Sequence, residues 1–100
     1  MLPGKKIADT NLAQKGRLSH EWAHARMSII EKIVVGKDSK LLEGLTVGFC
    51  LHVTKETSVL VMAAKRLGAK VALCSANPLS VRDDIAAFLQ QEGASVFALR

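Results

Sequence analysis

Three short apolar runs in the second half of the chain constrain its fold more than any other feature. Each is apolar almost throughout, which is typical of strands buried on both faces of a parallel sheet. The runs are "LTVGFCLHV" at 45–53, "KVALCSA" at 70–76 and "SVFALR" at 95–100. Helical patterns separate them, and strands that alternate with helices predict a parallel sheet with right-handed crossovers.

The two segments between the runs carry start and stop signals for helices. In "TKETSVLVMAAKRLG", Thr54 is a candidate N-cap and Gly68 a candidate stop. In "SVRDDIAAFLQQEG", Ser80 and Asp83 resemble a capping box, and Gly93 follows the last turn. We therefore predict a βαβαβ unit over about 45–100, built on a three-stranded, Rossmann-like parallel sheet.

A helical pattern fills much of the first part of the chain, after an extended lead-in. Its apolar residues recur at helical spacing: Leu12, Leu18, Trp22, Ile29 or Ile30, and Ile33. They predict a helix over about 11–35 that ends at Gly36 and packs through Trp22. The 100 residues then form a single α/β domain. The last predicted strand ends with the chain, so we expect a partner chain, a second copy or further sequence to cover the sheet edge.

Composition narrows the classes of partner. The net charge is +5, but the excess is concentrated in residues 1–40, where eight basic groups face four acidic ones. The four aromatic residues are not interleaved with basic ones, so we expect no nucleic-acid partner. No signal peptide and no membrane-spanning run is present, which indicates a cytoplasmic protein. Cys50 and Cys74 fit no metal or redox spacing, and we expect two buried thiols in a reducing compartment.

The stretch "HEWAH" fits the zinc-peptidase pattern H-E-x-x-H, with His20 and His24 on one helix face. A catalytic zinc needs a third protein ligand, and the one remaining histidine, His52, lies on a predicted strand. The ordinary interpretation is a solvated, charged helix face opposite Trp22. We therefore expect no metal site, and keep a zinc peptidase as the third hypothesis.

The sheet itself predicts where a ligand binds, because open parallel sheets bind ligands beyond the carboxyl ends of their strands. Polar side chains follow the first two predicted strands: His52, Thr54, Glu56 and Thr57 after the first, and Asn77, Ser80, Arg82 and Asp83 after the second. Consecutive strands are usually neighbours, so these loops should converge. No glycine-rich phosphate cradle is present, which favours an uncharged polar ligand such as a nucleoside.

Each of these residues also has an ordinary structural interpretation. Thr54, Ser80 and Asp83 occupy positions where helices are usually capped. A histidine at a strand end, such as His52, often has only a structural hydrogen bond. Its ability to exchange protons near neutral pH nevertheless makes it the best candidate for chemistry.

The same residues carry a resemblance to a known family. The segments "CLHVTKETSVLV" and "LGAKVALCSANPLSVRDDIAAFL" resemble the N-terminal substrate-binding region of S-adenosylhomocysteine hydrolase (adenosylhomocysteinase). The family pattern there is close to C-L-H-x-T-x-[EQ]-T-A-x-L, followed by N-P-L-S-T-Q-D-D. "DTNLAQKGRLSHEWAHARM" is similar to the family's preceding helix. The chain departs from the pattern at Ser28, Ser58, Val81 and Arg82.

The resemblance implies a reaction and a site. Enzymes of the family cleave S-adenosyl-L-homocysteine reversibly to adenosine and homocysteine, using a tightly bound NAD that oxidises the ribose 3'-hydroxyl. His52 matches the histidine implicated in acid–base work on the leaving thiol and the incoming water. Thr54, Glu56 and Thr57 match residues that contact the adenosine. Those that would line or brace the neighbouring loop are Asn77, Ser80 and Asp83.

Family members are several times longer, and this sequence lacks their NAD domain with its G-x-G-x-x-G motif. We therefore expect the N-terminal piece of an adenosylhomocysteinase-like protein, either a truncated chain or a split or remnant gene product. It should be inactive alone, bind no NAD itself, and bind adenosine or S-adenosylhomocysteine weakly. It should form a homo-oligomer or need the missing C-terminal domains. The alternative is a non-catalytic adenosine-binding or assembly module, with no membrane partner.

Overall fold

A computed structural model describes residues 6–99 and confirms the α/β class. Four parallel strands form one sheet in the order β1-β4-β3-β2. Four α-helices accompany them, and within residues 6–99 none is long and apolar enough to cross a membrane. The elements are β1 (Lys6–Ile7), a 3₁₀ turn (Thr10–Leu12), α1 (Ala13–Arg26), α2 (Ser28–Val35), β2 (Thr46–Leu51), α3 (Lys55–Arg66), β3 (Lys70–Ser75), a second 3₁₀ turn (Pro78–Ser80), α4 (Asp83–Gln91) and β4 (Ser95–Ala98).

The predicted βαβαβ unit runs from β2 to β4. β2 and β3 pair along their whole length, from Thr46 opposite Lys70 to Leu51 opposite Ser75. β4 pairs with the other edge of β3. The lead-in adds a short fourth strand, because Ile7 pairs with Ala98 and so covers the outer edge of β4.

The strands are buried on one face only, which corrects the expectation of two buried faces. On β3, Val71 and Leu73 are buried, whereas the side chains of Cys74 and, on β2, Cys50 are exposed. The prediction of two buried thiols was therefore wrong. The second face carries small residues such as Gly48 together with the exposed Phe97, and no helix within residues 6–99 covers it.

The core lies between the sheet and the helices. α4 is buried on nearly all sides, because it packs against the sheet on one side and α1 on the other. Each fully buried Leu, Ile, Val or Phe side chain contributes about 1.5–3 kcal/mol to stability. The largest of these side chains are Phe88, Leu73, Ile85, Leu89, Val53, Val61, Val71 and Val96.

Helix α1 packs through small residues, which corrects the prediction that Trp22 is a core contact. Trp22 is 51% exposed and Leu18 60% exposed, whereas Ala23 is only 2% exposed. The two helices approach each other closely at Gly16, where a Cβ atom would lie 2.8 Å from the Cβ atom of Phe88 and would clash with the carbonyl of Asp84. Small residues occupy the buried face of α1 because they let the backbones of α1 and α4 approach each other closely.

The helix predicted over 11–35 is in fact two helices, separated at Met27. Met27 has φ −109° and ψ 56°, which no α-helical residue adopts, and its N–H donates to the carbonyl of His24. The break lets α2 turn and pack against α3. Ile29 and Ile33 of α2 remain exposed, at 72% and 52%.

Candidate functional site

The loops after β2 and β3 meet at the carboxyl edge of the sheet, as the topology predicts. Two backbone hydrogen bonds join them beyond the strands. The N–H of Ala76 donates to the carbonyl of Leu51 at 3.0 Å, and the N–H of Arg82 donates to the carbonyl of Val53 at 2.9 Å. The side chains of both loops are therefore held against one another by the main chain.

His52 and Ser80 are brought together by this edge. The Nδ1 atom of His52 lies 2.6 Å from the Oγ atom of Ser80, and the Ser80 hydroxyl donates to the carbonyl of Asn77 at 2.9 Å. Because the hydroxyl hydrogen is used there, the Ser80 oxygen is left to accept a hydrogen bond from Nδ1–H of His52. Nε2 lies on the exposed side of the ring, and the described residues offer it no hydrogen bond. The arrangement is that of a base open to solvent.

This use of Ser80 corrects the predicted capping box. Helix α4 begins at Asp83 with Arg82 as its N-cap, and no side chain of residues 6–99 caps it. Ser80 is the last residue of the 3₁₀ turn Pro78–Ser80, so its hydroxyl faces His52 instead of the first turn of α4. The Ser80 hydroxyl can serve either His52 or the start of α4, and the 3₁₀ turn orients it toward His52.

Thr54 caps α3, as predicted. Its Oγ1 atom accepts from the N–H of Thr57 at 3.3 Å, and its hydroxyl donates to the Oγ1 atom of Thr57, also at 3.3 Å. The O–H of Thr57 is left as a donor. The structure thus places Thr54 and Thr57 side by side, one engaged by the helix and one with a hydrogen available for a ligand.

Glu56 lies in the first turn of α3 and is exposed. Its backbone N–H holds the pKa of the carboxyl below its ordinary value, and Lys55 and the Thr54 hydroxyl act in the same direction. The Nζ atom of Lys55 lies 3.3 Å from Oε2. Glu56 is therefore ionised at neutral pH and can only accept hydrogen bonds.

The loop after β3 contributes Asn77 and Asp83. The Oδ1 atom of Asn77 accepts from the N–H of Leu79 at 2.9 Å, so its amide group remains available as a donor. The Oδ1 atom of Asp83 is buried and has no hydrogen-bond partner among the described residues. Buried acceptors are rarely left unsatisfied in native proteins, so this atom is a candidate for a ligand or water contact.

Sequence reasoning missed Asp84, which organises the start of α4. Its side chain is 5% exposed and accepts two hydrogen bonds from Arg82, at 3.2 Å from Nε and 2.9 Å from Nη2. Arg82 in turn lies beside Ser19 of α1, with Nη2 3.4 Å from Oγ. The adjacent sequence "RDD" suggests that the arginine pairs with one of the two aspartates, but it does not show which of the two side chains is buried.

A shallow cavity of about 410 Å³ adjoins this edge of the sheet. Its wall carries an exposed tryptophan between cations, since the Arg26 guanidinium lies 3.8 Å and the Lys55 ammonium 5.3 Å from the ring centroid of Trp22. The lining residues are Leu18, Ser19, Trp22, Lys55 and Arg82.

The two histidines of "HEWAH" have structural partners. The Nδ1 atom of His20 lies 2.8 Å from the Oγ atom of Ser58, and its ring packs on Phe88 at 4.7 Å between centroids. Burial is the main cause that lowers the pKa of His20, followed by the neighbouring His24. The Nε2 atom of His24 lies 3.0 Å from the carboxylate of Glu31. Within residues 6–99, no three His, Cys, Asp or Glu side chains are grouped so that they could hold a metal ion.

Comparison with known proteins gives a consistent picture. The sequence profile described as S-adenosyl-L-homocysteine hydrolase matches residues 4–100. The adenosylhomocysteinase of Aeropyrum pernix is 45% identical over 100% of this chain, and that of Sulfurisphaera tokodaii 47% identical over 95%. The S-inosyl-L-homocysteine hydrolase of Methanopyrus kandleri is 43% identical over 94%. The matches cover 24%, 23% and 22% of these relatives, so the chain spans about a quarter of their length.

Proposed function

Because this chain belongs to the S-adenosyl-L-homocysteine hydrolase family, we propose that it supplies the N-terminal part of the substrate site of a nucleosyl-homocysteine hydrolase. The observation that carries this proposal is the pair formed by His52 and Ser80 at the carboxyl edge of the sheet, 2.6 Å apart. The pair supports the proposal because histidine is a common proton-transfer group and open parallel sheets bind ligands at this end of their strands.

His52 is the proposed acid–base residue. Ser80 holds Nδ1–H, which leaves Nε2 to take a proton from an attacking water or to return one to the departing homocysteine thiolate. Ser80 also lines the site, so its hydroxyl both positions His52 and bounds the space for the substrate.

The nucleoside would be held by the start of α3 and by the facing loop. We assign the donor contacts to Thr57 and to the amide of Asn77, whose hydrogens bond to no group within residues 6–99. Glu56 offers an ionised acceptor, and Asp83 a buried one. Thr54 contributes mainly by capping α3 and so fixing Thr57 and Glu56 relative to His52.

The family resemblance implies NAD, but residues 6–99 do not fit a dinucleotide. Such sites need glycines in the turn directly after a strand, where the backbone approaches the pyrophosphate. Within this range, the glycines with positive φ are Gly44, Gly68 and Gly93. They precede β2, β3 and β4, so they lie at the amino ends of the strands and not at the carboxyl ends, where a dinucleotide would bind. We therefore propose that NAD binds elsewhere in the full-length relatives and that the chain alone does not turn over substrate.

The comparisons leave open which base the nucleoside carries. Relatives with nearly equal sequence identity to this chain are named for adenosyl and for inosyl substrates. An ionised Glu56 only accepts hydrogen bonds, which favours the amino group of adenine over the carbonyl oxygen of hypoxanthine. We therefore propose an adenosyl substrate. The cytoplasmic location of the chain stays a prediction.

The test uses the purified 100-residue chain. Titration calorimetry should detect weak binding of adenosine, weaker binding of inosine, and loss of both in Glu56→Ala and Thr57→Ala variants. No S-adenosylhomocysteine should be hydrolysed with or without added NAD. Turnover by the chain alone would contradict the proposed inactivity, and binding that the substitutions leave unchanged would contradict the site.

A second candidate is an assembly module that does not bind nucleosides. It is favoured by the large apolar side chains left exposed on α1 and α2, Leu18, Trp22, Ile29 and Ile33. This function predicts no heat with either nucleoside, but a sedimentation coefficient above that of the monomer or a complex with a polypeptide that carries the remaining domains.

A further inference from the structure

Cys50 and Cys74 lie side by side on the face of the sheet that the helices of residues 6–99 leave open. They are direct partners in the register of β2 and β3, and both side chains are exposed. Neighbouring strands lie about 4.8 Å apart. Disulfides join residues whose Cα atoms are separated by about 4.4–6.8 Å, so this pairing has a spacing that a disulfide can bridge.

Both thiols are exposed and lie opposite each other in the register of β2 and β3. The neighbouring Cys50 side chain is the main cause that raises the pKa of the Cys74 thiol. The residues next to the pair on the same face are Gly48 and Ala72, also register partners, which leave room above the sulfurs. Phe97 borders a cleft of about 270 Å³ that includes both thiols.

We propose that Cys50 and Cys74 form a reversible intrachain disulfide, which makes this dithiol a redox modification site on the open sheet face. In the oxidation, two S–H bonds break and one S–S bond forms, and two protons and two electrons pass to an added oxidant. With an azodicarboxamide such as diamide, the N=N bond accepts both and becomes a hydrazine. A dithiol reductant reverses the reaction.

The bond would join β2 and β3 near the site proposed above. Cys50 is two residues before His52, and Cys74 is three residues before Asn77. The modification therefore fixes the spacing of the two strands whose loops hold His52 against Ser80. It does not depend on the proposed function, because the disulfide can form whether or not the edge binds a nucleoside.

The experiment treats the folded 100-residue chain with diamide, alkylates the remaining thiols and measures the intact mass and the tryptic peptides. The expected product is a monomer that has lost two hydrogens, takes up no alkyl group and yields a peptide linked through Cys50 and Cys74. The linkage should form faster in the native chain than in concentrated urea. Two alkylated thiols, a disulfide-linked dimer as the main product, or equal rates with and without urea would overturn the proposal.

A matched control moves one thiol along β3. The double variant Cys74→Ser, Ala72→Cys keeps two thiols on the same face but places them diagonally, about 8 Å apart from the strand spacing and rise. That separation is too long for a disulfide without backbone movement, so its oxidation should be at least about tenfold slower. If the diagonal pair oxidises as fast as the native one, the register argument is wrong.

Discussion

The imidazole of His52 donates from Nδ1 to the hydroxyl oxygen of Ser80 across the gap between two loops, at 2.6 Å. The bond depends on the 3₁₀ turn Pro78–Ser80, which Asn77 begins by accepting from the N–H of Leu79. A histidine at the end of one strand thus has its tautomer set by a turn that follows another strand. This is a device that orients a proton-transfer group before any ligand arrives.

Replacing Ser80 by alanine should release the His52 ring without unfolding the chain. In the native chain at alkaline pH, ring ¹⁵N shifts should report a protonated Nδ1 and an unprotonated Nε2, because Nδ1–H is held. In Ser80→Ala they should move toward the average of the two tautomers. Ser28→Ala, which changes an exposed serine in α2, is the control. Unchanged His52 shifts in Ser80→Ala would mean that the bond does not set the tautomer.

Thr54 should act on stability through its side-chain oxygen. Thr54→Ala removes the acceptor for the N–H of Thr57 at the start of α3 and should cost about 1 kcal/mol of unfolding free energy. Thr54→Ser keeps the oxygen and should cost much less. Urea unfolding followed by circular dichroism measures both. Equal losses for Ala and Ser would point to the methyl group, and hence to packing, as the cause.

Gly16→Ala tests the contact between α1 and α4, because two effects predict opposite signs. Helix propensity alone would stabilise the variant by about 1 kcal/mol. The added Cβ atom, however, would clash with the backbone of Asp84 and lie 2.8 Å from the Cβ atom of Phe88. Overpacking of this kind costs about 1–3 kcal/mol or more. We therefore expect destabilisation, with Gln14→Ala on the exposed face as the control.

The fold could be predicted because its strands and helices are separated by strong local signals. Continuous apolar runs define β2 and β3, and Thr54 and Gly68 bracket the helix between them. The convergence of the two loops follows from topology alone. Of the candidate site, only the meeting of these polar residues at the carboxyl ends of the strands could be predicted and is seen; their function stays a prediction.

The features that could not be predicted depend on tertiary contacts that local sequence patterns do not show. A hydrophobic pattern gives weight to large residues, so it favoured Trp22 over Gly16 as the packing residue of α1. The local motif predicted that Ser80 caps α4, whereas its hydroxyl is hydrogen-bonded to His52, 28 residues away in the sequence. Continuous apolar runs suggested two buried sheet faces, but glycine, alanine and cysteine tolerate an open face as well.

Trp22 offers a direct optical check of the corrected packing of α1, because it is the one tryptophan in the sequence. At 51% exposure, with the Arg26 guanidinium on its ring, it should emit at long wavelength in the folded chain and be quenched efficiently by iodide. Lys32→Ala, on an exposed position of α2, should leave the spectrum unchanged. A blue-shifted emission that iodide does not reach would contradict the exposed orientation.

The carboxylate of Glu31 should make stability fall in acid. It bridges α2 to α3, accepting from the Nη1 and Nη2 atoms of Arg66 at 2.6 Å and 3.2 Å, and it also contacts His24. Arg66 is the first cause, and His24 the second, that lowers the pKa of Glu31 from 4.5 to about 2. A carboxyl with a depressed pKa in the folded state stabilises fully above its unfolded value, and the contribution is lost as pH falls from 4.5 toward 2.

The matched variant Glu31→Gln keeps the shape of the side chain and removes the charge. Urea midpoints should separate native chain and variant at pH 7, and the difference should shrink steadily between about pH 5 and pH 2. Because these side chains are partly exposed, added salt should also reduce the difference at pH 7. Arg66→Gln should give the same pH dependence, since it removes the partner of the same pair. A separation that stays constant down to pH 2 would show that the bridge does not titrate with Glu31 and that α2 is held to α3 by packing alone.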